Sequence, residues 1–382
     1  MNIIRSHILK IATASLLLCC STGKTVKAQE IIIPERWQEA LTYAKPIFRQ
    51  DTLTIRILGD VMMHADQIKN ACRGGSEYDF SSYFCLLKPR IESADIAVAN
   101  MEFTLAGEPY TGYPCFSAPD SFATYLAECG FDVFLAANNH IFDKDSKGTV
   151  RTIGIYRDLK ESHGISFTGI SGDEEELLLN NPLIIRHKGI KTAFLNFTYG
   201  TNMGVGTVWP KTNYIGEKGK ISNAFSKAEG NKADFIIALP HWGTEYRLRH
   251  SEEQEDFAEW LVGNGADFII GTHPHVVQDC GIIDDVPVAY SLGNAVSNMS
   301  TVNTQMGLMA TIRIVRLNNG DLESLPLELD YLWCSRPGGY NDSYTVIPVK
   351  EYIARKELWQ NKADHQKMTA TYERLRKETG IE

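Results

Sequence analysis

The 382-residue chain reads as an α/β fold built on a largely parallel sheet covered on both sides. Three observations carry that reading. Short runs of Ile, Val, Leu and Phe recur and scarcely alternate with polar residues, as strands buried on both faces do. Helix-like stretches with acidic starts and glycine stops lie between them. Strands alternating with helices form βαβ units, which set neighbouring strands parallel.

Residues 1–28 read as a signal peptide. Arg5 and Lys10 lead into an apolar run, Ile11–Cys20. That run is well short of the roughly 20 residues a membrane span needs. Val26-Lys27-Ala28 offers small residues where a signal peptidase cuts. Lipidation at Cys19 or Cys20 is the rival processing route, although Leu18 rather than a small residue precedes Cys19. Either route puts the mature protein outside the cytoplasm, in the periplasm or cell envelope. Residues 29–51 read as a connector with a short amphipathic helix around Trp37 to Tyr43.

Six apolar runs follow, each ending in residues able to bind a ligand. LTIRILGDVMMH (53–64) ends in Asp60 and His64, and ADIAVANMEF (94–103) in Asn100 and Glu102. FDVFLAANNHIFD (131–143) ends in Asn138, Asn139, His140 and Asp143. ADFIIALPHWGTEY (233–246) ends in His241 and Glu245, ADFIIGTHPHVVQ (266–278) in His273 and His275, and VPVAYSLGN (286–294) in Ser291 and Asn294. Residues 119–130, 148–164 and 251–265 are the helix-like segments, stopping at Gly130, Gly164 and Gly265. Residues 306–333 read as a β-hairpin turning at Asn318-Asn319-Gly320-Asp321, and residues 349–382 are charged and helix-prone. The expected layout is one large domain over 52–315 and a C-terminal extension over 316–382.

Composition narrows the function. Hydrophobic residues make up 43% and charged residues 22%, an ordinary globular balance that excludes a disordered, collagen-like or polytopic membrane protein. The net charge is −9, and removal of residues 1–28 leaves 34 basic against 47 acidic residues, a charge of −13. Such a chain lacks the basic excess that nucleic-acid binding requires. No CxxC pair is present, which argues against a thiolate zinc site. Six cysteines remain after the leader, and some of these can pair in an oxidising compartment. There is no GxSxG elbow, Walker loop or dinucleotide fingerprint.

Open α/β sheets bind ligands beyond the carboxyl ends of their strands, and every polar cluster above falls there. Asp, Glu, Asn and His without thiolates suit divalent Mn, Fe or Zn. One or two such ions can activate a hydroxide against a phosphorus or carbonyl centre. Asp60 is the ligand expected at the first strand end, with His64 four residues on as a possible extra ligand. Pro274 holds His273 and His275 close together. Trp242 and Tyr246 flank His241 and Glu245, either as packing or as a wall for substrate. With Glu245 and Asn294 they are the residues expected to line the site.

GDVMMH (59–64), ANME (99–102), AANNHIFD (136–143), PHWGTEY (240–246), GTHPHVVQ (271–278) and YSLGN (290–294) together resemble the capsule-synthesis CapA family. This is the poly-γ-glutamate group within the calcineurin-like metallophosphoesterase superfamily. The resemblance implies a four-layer α/β/β/α sandwich and metal-ligand roles for Asp60, Glu102, Asn139, His241, His273 and His275. It implies that His140 stabilises or protonates the leaving group. An anionic polymer or phosphoester is the implied substrate, and other capsule-synthesis membrane proteins are the implied partners. A polymer-binding or export subunit without turnover is the alternative. Met62 stands where the superfamily has a His, Glu102 replaces its bridging Asp, and Ala295 stands where relatives carry an aromatic residue.

Overall fold

The computed structural model describes residues 52–204 and 208–382, so the expected leader, its lipidation candidates and the connector helix lie outside the described residues. The first apolar run forms β1 (Thr52–Val61). Beside it lie the parallel strands β4 (Ile96–Met101), β5 (Val133–Leu135) and β6 (Ser166–Thr168). On the other flank the sheet turns antiparallel through β16 (Met306–Arg316), β18 (Glu328–Ser335) and β19 (Thr345–Pro348). β15 (Asn294–Val296) pairs with the end of β1, and β17 (Leu322–Ser324) with β16.

A second sheet runs in the order β13 (Cys280–Ile283), β14 (Val286–Ala289), β12 (Phe268–Ile270), β11 (Phe235–His241), β9 (Ile190–Thr198), β8 (Leu183–His187). Its four central strands are parallel and both edge strands antiparallel. Two small ribbons complete the strands: β2 (Cys72–Gly74) with β3 (Glu77–Tyr78), and β7 (Ile170–Ser171) with β10 (Lys211–Thr212).

Alternating side chains give the layers. Leu53, Ile55 and Ile57 of β1 share one core with Phe194, Ile237, Leu239 and Ile270 of the second sheet, so the two sheets pack face to face. The opposite face of the first sheet, with Ala97, Ala99 and Phe134, is covered by α2 (Lys88–Glu92), α3 (Asp120–Glu128) and α4 (Asp145–His163). The far face of the second sheet, with Ala193, Leu195, Ile236 and Ala238, is covered by α6 (Lys218–Gly230) and α7 (Glu252–Gly263). Helix, sheet, sheet and helix make four layers. The residues alone led to one sheet with helices on both sides. Here each sheet has helices on one face and the other sheet on its second. Short helices α1 (Ala65–Ala71) and α5 (Glu174–Asn180) sit in the connections.

The helix ends follow the sequence signals. Ser251 accepts from the Gln254 amide and Gln254 answers to the Ser251 amide, a capping box that starts α7. Gly164 closes α4 in the left-handed conformation at φ 75°.

Four aspartates set the strand starts. Asp95, Asp132, Asp234 and Asp267 each stand just before or at the head of a parallel strand. Their carboxylates accept the amides of Thr54, Ala97, Lys191 and Ile236, at 2.8, 2.7, 2.8 and 2.7 Å. In each case the aspartate's own amide donates back to the carbonyl of the same neighbour. This two-point clasp fixes register at the end of the sheet opposite the polar clusters.

The C-terminal part belongs to the same framework. β16 and β17 form the expected hairpin, pairing Arg316 with Leu322. α8 (Val349–Tyr352) follows β19, and α9 (Lys362–Thr379) packs on β16 and β18. Met368, Tyr372 and Leu375 of α9 join Trp333 and Ile347 in the core between the sheets. Cys72, Cys85, Cys115, Cys129, Cys280 and Cys334 are all unpaired.

Candidate metal centre

The strands of both sheets end at one place. Asp60 closes β1, Glu102 follows β4, and Asn139 and His140 follow β5. His241 closes β11, and His273 and His275 lie in the turn after β12. All seven are buried. His273 and His275 have φ of 98° and 59°, in the left-handed region that L side chains rarely adopt. The turn through Pro274 thus accepts backbone strain where it presents its two imidazoles.

Glu102 is the hub. Its Oε1 lies 3.7 Å from His241 Nε2, 3.8 Å from His275 Nε2 and 3.9 Å from His140 Nε2. Neither carboxylate oxygen has a hydrogen-bond partner, although both are fully buried. His273 Nδ1 and Asn100 Oδ1 are likewise buried without partners. Buried polar atoms are nearly always satisfied, so a set of orphans aimed together needs an explanation.

Donor geometry supplies one. Glu102, His241 and His273 offer ligand atoms within 4.8 Å of one another, as do Asp60, Glu102 and His275, and Glu245, His273 and His275. Glu102 belongs to two of these groups. Asn139 Oδ1 lies 2.8 Å from His241 Nε2, which brings it to the first group. Oxygen and imidazole donors in this number fit one or two divalent cations, which would satisfy the orphaned atoms.

The electrostatics agree. Burial, then Asp60 and Glu245, pushes the Glu102 carboxyl well above its usual range. Burial, then the neighbouring imidazoles, holds His241 and His273 well below the usual histidine value. Neutral imidazole is the form that ligates a metal. Burial pulls His275 down, but Asp60, Asn294 and Glu245 together outweigh this and leave it raised.

Supporting contacts orient the donors. Asn100 Nδ2 donates to Asp60 Oδ1 at 2.7 Å, and the His273 amide donates to Asp60 Oδ2 at 3.2 Å. Thr272 Oγ1 sits 3.0 Å from His241 Nδ1. Asp143 Oδ2 lies 2.7 Å from His140 Nδ1 and also accepts the Phe116 amide. Tyr199 tilts over His273 with ring centroids 4.5 Å apart.

Four other residues singled out in the sequence take different places. His64 belongs to none of the three ligand groups; its Nδ1 is 3.1 Å from Gln67 Oε1, and burial pulls it down to about 4. Asn294 is buried and holds His275, its Oδ1 3.0 Å from Nδ1. Trp242 departs from the lining role. It is buried, its indole N–H donates to Tyr290 O at 2.8 Å, and its ring packs with Phe257 behind the second sheet. Tyr246 is exposed at the rim, its ring 6.3 Å from His275.

The sequence reading missed Tyr199, Asn202 and Thr272. Asn202 donates its amide to Asn139 O at 2.8 Å. Tyr199 follows β9, whose run KTAFLNFT (191–198) ends in polar residues as the six others do. Thr272 lies between Gly271 and His273, inside a motif already marked.

Comparison with known proteins places the chain. Residues 54–299 match the family described as bacterial capsule synthesis protein PGA_cap. The chain is 27% identical over 316 residues to the capsule biosynthesis protein CapA of Bacillus anthracis, covering 78% of this chain and 73% of that protein. It is 23% identical over 291 residues to the PGA biosynthesis protein CapA of Bacillus subtilis, covering 74% and 73%. Among solved structures, a 5'-nucleotidase precursor from Thermus thermophilus aligns with a TM-score of 0.43 and 11% identity, over 84% of this chain and 58% of that one. The NAD nucleotidase of Haemophilus influenzae aligns with a TM-score of 0.42 and 13% identity, over 84% and 66%. With its family match spanning most of the described residues, the chain belongs to the PGA_cap family of bacterial capsule synthesis proteins.

Proposed function

We propose that this chain is an exported, metal-dependent hydrolase or transferase of capsule or poly-γ-glutamate metabolism, acting on a phosphoester or an amide-linked anionic polymer. The observation that carries the reading is Glu102, whose two unpartnered, buried oxygens lie among three imidazoles and within two ligand groups. Asp60, Glu102 and His275 would hold one divalent cation, and Glu102, Asn139, His241 and His273 a second. When bound, such ions supply Lewis acidity and lower the pKa of a coordinated water. His140 is the general acid of this scheme. Asp143 holds its Nδ1 at 2.7 Å, which leaves Nε2 toward Glu102 and the incoming group. The Asp143 carboxylate stabilises the imidazolium that gives up its proton from Nε2. The leader-like pattern of residues 1–28 supports export, and the names of the CapA relatives support the capsule setting.

Elemental analysis of the purified mature protein is the direct test. The expected result is bound transition metal, reduced in His241→Ala and His273→Ala. With added manganese, turnover of an aryl phosphodiester is expected and is lost in Asp60→Ala. A protein that binds no metal and whose metal content is indifferent to both histidine variants overturns the proposal.

A further inference from the structure

Resting on that reading, we propose that Glu245 is a further ligand of the metal centre, standing at its mouth beside His273 and His275. The donors divide unevenly. Glu102, Asn139, His241 and His273 make four for one position, while Asp60, Glu102 and His275 make three for the other. Divalent Mn and Fe take up to six ligands, so both positions leave room for a further protein donor beside a water. Glu245 forms its own group with His273 and His275, one imidazole from each position, with ligand atoms within 4.8 Å. His273 Nδ1 is buried and unpartnered. Arg249, four residues on, pairs with Asp279 at 3.0 Å.

The loop that carries Glu245 is built in place. The Tyr246 amide donates to Pro274 O at 2.8 Å, inside the turn between the two imidazoles. Gln278 Nε2 donates to Arg247 O at 3.1 Å and Arg249 O at 3.2 Å. Asp279 accepts the His250 amide at 3.0 Å. Tyr246 itself has φ 66°. The chain after β11 is therefore strapped to the chain after β12, and the strap sets one carboxylate beside both histidines. Charge gives the arrangement a purpose. Three carboxylates against two divalent cations leave a net positive centre, able to receive an anionic group. As a bare rim acid, Glu245 would repel the same group.

The test is manganese uptake by the metal-free mature protein, read by equilibrium dialysis and electron paramagnetic resonance. Wild type is expected to take up two ions. Glu245→Gln and Glu245→Ala are each expected to weaken one of them by about 10-fold or more, the scale at which ligand-shell changes act. Thr244→Ala, at the exposed neighbour, should leave both unchanged. Uptake of both ions at wild-type affinity by the two Glu245 variants overturns the proposal while the metal-dependent reading stands. A wild-type protein that takes up no manganese, iron or zinc overturns both.

Discussion

At the scale of single residues, Gly59 decides where Asp60 lies. A Cβ at position 59 would sit 1.9 Å from the Gly293 carbonyl oxygen and 3.2 Å from Leu292 Cβ. Only glycine lets the chain after β14 cross the end of β1 this closely. The Asp60 amide then donates to that same carbonyl at 3.0 Å. Gly59→Ala is expected to lose about 3 kcal/mol in urea denaturation, the upper part of the range for overpacking, and to impair metal uptake with it. The gathering of the six ligand candidates was legible because each ends an apolar run; their roles as ligands came from the resemblance. Trp242 was not, because its neighbours His241 and Glu245 face the centre while its own indole answers to Tyr290 O on the far side of the sheet. A pattern along the chain gives spacing; it does not say which way a ring turns at the point where a strand ends.

At the scale of elements, the strands are held by the aspartates before them. Burial raises Asp132 and Asp267 above the usual carboxylate value, although each accepts a backbone amide. The sign follows. The unfolded chain releases these protons near pH 3.8 while the folded chain keeps them to higher pH, so stability falls as pH rises between the two values. Asp267→Asn retains an oxygen for the Ile236 amide and removes the buried charge. It is expected to match wild type in denaturant midpoint below pH 3.8 and to exceed it under neutral conditions. Asp267→Ala should lose about 1 kcal/mol below pH 3.8 through the lost hydrogen bond, and less than that under neutral conditions, where it also sheds the buried charge. The repeated Ala-Asp or Phe-Asp before an apolar run was visible in the sequence. Its meaning was not, since the amide it accepts belongs to a strand well earlier in the chain, at separations of 41, 35, 43 and 31 residues. β9 escaped the pattern because Lys191, Thr192 and Asn196 dilute its apolar run.

At the scale of the whole molecule, residues alone led to one sheet where two are stacked. A strand buried on both faces has the same composition whether a helix or another sheet covers it, so periodicity cannot separate the cases. Motif resemblance did separate them. The close of the chain was also read only as charged and helix-prone, because the buried face of α9 is narrow: Met368, Thr371, Tyr372 and Leu375 among many charged neighbours. Met368, Tyr372 and Leu375 seal the core beside Trp333 and Tyr331. Ending the chain at residue 361 is expected to destabilise the protein by about 4 kcal/mol, from Met368 and Leu375 at about 2 kcal/mol each. A lowered thermal midpoint or loss of soluble protein would register this, and an unchanged midpoint would show that α9 is dispensable.

The division of donors between the two sheets has a mechanical meaning. One sheet brings the oxygen donors Asp60, Glu102 and Asn139; the other brings the nitrogen donors His241, His273 and His275, with Glu245 on the same side. An ion bound between them would behave as a rivet through two plates. Its affinity then gauges their alignment, because any slip of one plate past the other pulls oxygen from nitrogen before either sheet has lost a single strand.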